Sequence, residues 1–152
     1  MGLRQRITSG IKDAMRAGET QKLGTLRLIN AAVKDHDIAA RGQGNADGVD
    51  DDAVLAILGK MVKQRQESVR AYEEAGRLEL AEQERGEIAV IEGYLPRKLS
   101  ETEVEAAVDA AIAETGAQGI RDMGRVMAVL KGQHTGRMDF GVVGPMVKTR
   151  LS

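Results

Sequence analysis

The sequence predicts an all-α protein, and three observations predict it. Apolar residues recur at three- and four-residue steps along most of the chain, no segment alternates apolar and polar residues as a half-buried strand would, and helix-capping signals fall between the stripes. With 152 residues, 42% of them hydrophobic and 30% charged, the chain suits one domain or two small ones sharing an interface. One Phe, two Tyr and no Trp leave the core to Ala, Leu, Ile, Val and Met.

Taken in order, Leu3, Ile7, Ile11 and Met15 stand four apart and predict a first helix closed by Gly18. Thr20 occupies a helix N-cap position for a second, whose stripe is Leu23, Leu26, Ile29 and Val33 and which reaches about Arg41. The pair reads as two antiparallel helices. Arg41 to Gly48 carries three glycines and small polar groups without an apolar face, so it predicts a flexible connector. Asp50, Asp51 and Asp52 put negative charge at the positive end of a long third helix with the stripe Val54, Leu58, Met61, Val62, Val69 and Tyr72. Ala75-Gly76 ends it, and Leu80, Ile88, Ile91 and Leu95 predict a fourth helix that Pro96 stops.

The module boundary falls after Pro96, because Ser100 and Glu103 have the spacing of a capping box. Residues 1–96 therefore form an N-terminal long-helix module and 97–152 a C-terminal three-helix tail-like module. The second buries Val104, Ala107, Val108, Ala111 and Ile112, then Met123, Val126, Met127 and Leu130. A glycine corner, Gly136-Arg137-Met138-Asp139, leads to Val142, Val143, Met146, Val147 and Leu151, where Gly144-Pro145 weakens the last helix or delays its start.

Without cysteine there is no disulfide, thiol nucleophile or thiolate zinc site. His36 and His134 are far apart, each without a second His three to five residues away, so no metal is expected. Asp35 and Asp37 flank His36 but face away from it on a helix, which excludes a triad. Glu82, Glu84 and Glu87 read as a solvated acidic face, and the stripe methionines Met61, Met123, Met127 and Met146 as core filling. No Gly-rich phosphate loop with Lys and Ser/Thr occurs. No cofactor and no membrane partner are expected, and the N-terminus lacks a signal-peptide stretch, so the chain reads as cytoplasmic.

The net charge of −1 hides a segregation. Residues 1–41 carry eight Lys/Arg against four Asp/Glu, residues 115–152 six against two, and residues 67–114 five against thirteen. A polyanion should meet the two ends. Around the corner, Arg125, Lys131, Arg137, Lys148 and Arg150 are candidate RNA-backbone contacts. On the third helix Lys60, Lys63, Gln64 and Glu67 share a face, either a phosphate-binding face or a solvated one laced with pairs such as Lys63 with Glu67. Three aromatic residues give no base-stacking platform, so RNA recognition would run through shape and backbone charge.

The tail Arg121-Asp122-Met123-Gly124-Arg125-Val126-Met127, the corner, and Ala113-Glu114-Thr115-Gly116-Ala117 resemble the GatB/YqeY family. So do Leu26-Arg27-Leu28-Ile29 and Ala31-Ala32-Val33-Lys34 near the start. In the middle, the similarity lies in Lys63-Gln64-Arg65, Glu67-Ser68, Tyr72, Gly76-Arg77 and Tyr94-Leu95-Pro96. Phe140-Gly141, where the family usually has Gly or Pro then Lys, and Gly144-Pro145 depart from it. In that family the tail ends the B subunit of a glutamine-dependent amidotransferase acting on mischarged tRNA, and also occurs in short free-standing proteins. The resemblance therefore implies tRNA, or a tRNA-handling enzyme, as partner of an accessory protein without an active site of its own. The alternatives are an amidotransferase-linked activity (carbon-nitrogen ligase with glutamine as amide donor) that needs partner subunits, or a protein-interaction adaptor using the acidic middle.

Overall fold

In a computed structural model, which describes residues 2–152, every regular element is helical. They are α1 (Leu3–Ala17), α2 (Thr20–Gly42), α3 (Asp51–Glu74), α4 (Leu78–Glu92), α5 (Glu101–Thr115), a 3-10 turn (Ile120–Asp122), α6 (Met123–His134) and α7 (Phe140–Leu151). The chain divides into two compact units, Met1–Pro96 and Arg97–Ser152.

In the first unit, Leu3, Ile7, Leu26, Ile29, Val33, Val54, Leu58, Val62 and Ile91 form one core. α1 ends at Gly18, whose φ of 70° is left-handed. The turn is tighter than the sequence predicts: Glu19 takes the cap position without a side-chain bond and Thr20 is already helical. Met15 is exposed and Ala14 buried in its place. Steps of four residues overshoot a turn by about 40°, so three of them carry Met15 about 120° away from Leu3. On α3, Ile57 joins the predicted stripe while Tyr72 is only half-buried. Leu80 of α4 is exposed and Ala81 is buried instead.

The connector after α2 is latched. Buried Asp37 accepts the Val49 N–H (2.9 Å) and both terminal nitrogens of Arg4, which also donates to the Val49 carbonyl (2.7 Å). Arg4 and the Val49 amide hold the Asp37 carboxyl well below the usual carboxylate range. Gly48, at φ 79°, lies against that carboxylate where no Cβ fits. At the other end of the unit, Tyr94 rests on Gly10 of α1 and carries the Arg6 guanidinium 5.5 Å from its ring centroid.

Of the three acidic residues read as a solvated face of α4, Glu82 is exposed as expected, while Glu84 and Glu87 are partly buried. Glu87 pairs with Arg65 of α3 at 3.1 Å, both side chains about one-sixth exposed at 16% and 15%, and Glu82 pairs with Arg85. Burial, then the nearby Glu87 charge, raises the Glu84 carboxyl. Helix packing brings Arg65 and Glu87 together across 22 residues of sequence, a distance over which periodicity carries no information.

In the second unit the capping box forms as predicted: the Glu103 N–H donates to Ser100 Oγ and the Ser100 N–H to Glu103 Oε1. Val108, Ala111, Val126, Leu130, Met138, Val143, Val147 and Leu151 make its core, with Met123, Met127 and Met146 packed against them. α7 starts at Phe140 and runs through Pro145 without delay, because Asp139 caps it by accepting the Gly141 N–H (2.9 Å). Val142 is exposed, standing about 100° round the helix from buried Val143.

Candidate nucleic-acid interface

α6 presents one bare face. Gly124, Arg125, Ala128, Lys131 and Gly132 fall on a single solvent-facing side, and exposed Arg121 of the preceding turn stands at its N-terminal end. Neither Gly124 nor Gly132 has a positive φ, and a Cβ at either would meet nothing within 4 Å. Each glycine costs its helix about 0.5–1 kcal/mol relative to alanine, with no demand from the fold in return.

The corner is rigidly built. Gly136 turns the chain at φ 80°, Met138 plugs into the core, and the Arg137 carbonyl accepts the Leu99 N–H at 2.8 Å. Arg137 Nε donates to the Arg97 carbonyl (3.1 Å), while Arg97 grips Glu103 with two hydrogen bonds of 3.0 and 3.1 Å. The Arg97 bond, followed by the Ser100 amide and hydroxyl, lowers the Glu103 carboxyl to about 2.

The seven predicted contact residues divide by what already occupies them. Arg125 donates to the Thr115 carbonyl (3.2 Å) and to Asp122 Oδ1 (2.7 Å), clasping the start of α6 to the end of α5. The Gln118 amide and then Arg125 lower the Asp122 carboxyl. Arg150 pairs with Asp109, and Arg137 serves the corner. Lys131 and Lys148 are exposed, and among the described residues neither holds an ion pair.

Lys60 and Lys63 belong to the first unit, are exposed and are likewise outside its ion pairs; the local pair of Lys63 with Glu67 does not form. Lys60, Gln64 and His36 line a groove of about 430 Å³ together with Ala32, Ala53, Ala56, Ile57 and Met61, so its wall is mostly apolar and Lys60 is its one lysine. Sequence reasoning passed over Arg121 and the small-residue spacing Gly124-Ala128-Gly132, which was legible as one residue every four.

Among the described residues no group of three or more His, Cys, Asp or Glu stands close enough to hold a metal, and no helix is long and apolar enough to cross a membrane. Fold and surface define an all-helical protein of two compact units, each with exposed, unpaired lysines. The chain belongs to the family described as Yqey-like protein, whose sequence profile matches residues 4–151.

The chain is similar to "Altered inheritance of mitochondria protein 41, mitochondrial" of Pyrenophora tritici-repentis, with 29% identity over 135 residues covering 84% of this chain and 71% of that protein. It is also similar to the protein of the same name from Lachancea thermotolerans, with 29% identity over 110 residues covering 71% and 57% respectively.

Proposed function

We propose that this protein is an accessory factor of tRNA handling that contacts the RNA backbone through the second unit and has no active site of its own. The observation that carries the reading is the solvent face of α6, where Lys131 stands unpaired on the same side as Arg125 and the small residues Gly124, Ala128 and Gly132, with exposed Arg121 before the helix begins. Lys148 of α7 adds a second unpaired cation to the unit. Membership of the Yqey-like family supports it, through that family's resemblance to the tail of the tRNA-dependent amidotransferase subunit. Scarce aromatics favour a folded RNA gripped by its phosphates over a single strand read base by base. The compartment belongs to the proposal too: a cysteine-free chain suits the cytoplasm, while the named relatives are mitochondrial.

Titrating labelled tRNA at about 50 and 200 mM salt tests the reading, since phosphate contacts show as a steep fall of affinity with salt. Lys131→Gln with Lys148→Gln should make the log-log slope shallower by about 1.5. Failure of the wild-type chain to bind at the lower salt refutes the proposal.

A further inference from the structure

The first unit carries a cationic face that the tail-centred reading does not use. Residues 1–41 hold eight Lys/Arg and four Asp/Glu, and the fold sorts them. Arg4 is spent on Asp37, Arg6 on the Tyr94 ring and the Gly93 carbonyl, and Lys22 on Glu19. Two of the four carboxylates are withdrawn in the same way: Asp37 is buried and Glu19 answers Lys22, while Asp13 stays exposed at the trough that runs between α1 and the end of α4.

Arg41 is likewise engaged, its Nε donating to the Ala46 carbonyl (3.3 Å), and Lys12, Arg16, Arg27 and Lys34 remain. All four are exposed, and among the described residues none holds an ion pair. Arg27 and Lys34 stand seven residues apart, so they differ by only about 20° round α2 and lie about 10 Å apart along it. Lys12 and Arg16 make the matching pair on α1, one turn apart and opposite buried Leu3, Ile7 and Ala14. The tight turn at Gly18 and the contact of Arg4 with Asp37 set the two helices antiparallel, and each turns its unpaired cations away from its buried residues. Four free cations thus stand against two exposed carboxylates, Asp13, about 100° round α1 from Lys12, and Asp35, about 100° round α2 from Lys34.

We infer that this α1–α2 face is a second contact for the phosphodiester backbone of a folded RNA. The inference rests on the RNA reading of the second unit and deepens it. Unpaired cations on both helices of one antiparallel pair suit a phosphate backbone, and small Gly24 and Ala31 beside Arg27 and Lys34 leave that backbone room to approach. An anionic membrane fits less well, because the exposed apolar residues of α1 and α2, Met15, Leu28 and Ile38, stand apart among charges and form no continuous face to insert.

The test compares the full-length chain with a variant carrying Lys12→Gln, Arg16→Gln, Arg27→Gln and Lys34→Gln. All four are exposed, so the melting temperature should hold, and a Lys12→Arg, Lys34→Arg control keeps the charge. With labelled tRNA between 50 and 200 mM salt, the neutralised variant should bind at least about tenfold more weakly at the lower salt, with a log-log slope shallower by about 3. The control should match wild type. An unchanged slope in the neutralised variant, alongside a reduced one for Lys131→Gln with Lys148→Gln, overturns this inference and leaves the second-unit reading intact. Wild-type chain that binds no tRNA overturns both, and binding to vesicles rich in anionic phospholipid without tRNA binding assigns the face to a membrane and overturns the RNA inference.

Discussion

Replacing Gly10 with alanine sets two effects of comparable size against each other. In a helix interior alanine is favoured over glycine by about 0.5–1 kcal/mol. Against that gain, a Cβ on Gly10 would lie inside the van der Waals radius of Tyr94 Oη, with the ring Cζ at 3.3 Å and Leu26 Cδ1 at 3.6 Å. Overpacking of this kind costs about 1–3 kcal/mol, so the net effect is a destabilisation of about 0–2 kcal/mol. In a Tyr94→Phe background the offending oxygen is gone and the nearest remaining ring atom is the one at 3.3 Å. There the helix gain should prevail, and Gly10→Ala should be neutral or stabilising by up to about 1 kcal/mol. The difference between the two backgrounds is a coupling of about 1–2 kcal/mol, within the range for side chains in direct contact. Equilibrium urea unfolding followed by tyrosine fluorescence reads it cleanly, because Tyr72 and Tyr94 both lie in the first unit and the chain has no Trp. Equal effects of Gly10→Ala in the two backgrounds would refute the claim that Tyr94 closes the first unit by resting on α1.

Four further outcomes follow from the same structure. Glu103, held at about 2 against an ordinary 4.5, contributes stability that is complete above the ordinary value and disappears as pH falls through about 2; amide protection in α5, corrected for the intrinsic exchange rate, should therefore fall across that window, and Glu103→Gln should make the fall smaller. Gly48→Ala combines a left-handed φ with a Cβ 2.9 Å from Asp37 Cγ, so it should open the Arg4–Asp37–Val49 latch and expose residues 43–50 to limited proteolysis, and unchanged digestion would count against the latch. Pro145→Ala restores a helix hydrogen bond in α7 and should raise the second unit's stability by about 1–3 kcal/mol in a thermal melt. Gly124→Ala and Gly132→Ala meet open space and should each stabilise by about 0.5–1 kcal/mol, while weakening tRNA binding if the α6 face is used as proposed; a loss of stability would contradict the open geometry.

Helix identity was legible because it is a local property. The capping box at Ser100 and Glu103 and the left-handed glycines at 18 and 136 are all decided within four residues, and all stand where the sequence places them. Errors collected where a stripe had to be extended or a partner guessed. Met15 and Val142 were assigned inward by spacing, yet a helix advances about 100° per residue and a row of fours or a shift of one leaves the core face. Small residues were undervalued for the opposite reason: Ala14, Ala81 and Gly144 are buried because neighbouring helices approach closely there, and their own hydrophobicity gives little sign of it.

The candidate site shows the same division between local and distant information. Counting charges locates the cationic segments but not the cations left free in them, since pairing is decided by groups remote in sequence. Arg125 is occupied by a carbonyl 10 residues away, Arg137 by one 40 away and Arg150 by a carboxylate 41 away. All three are arginines, whose planar, multiply donating heads suit such fixed cross-links. Lys131 and Lys148 in the second unit, and Lys12 and Lys34 in the first, keep their charge for solvent. If these surfaces serve RNA, arginine-to-glutamine changes at 125, 137 and 150 should lower stability as well as affinity, whereas the lysine changes should lower affinity alone. A joint urea and tRNA titration of the six second-unit and first-unit variants, Arg125→Gln, Arg137→Gln, Arg150→Gln, Lys131→Gln, Lys148→Gln and Lys34→Gln, would separate cations that build the fold from cations that face outward, and a lysine variant that unfolds like the arginine ones would break the distinction.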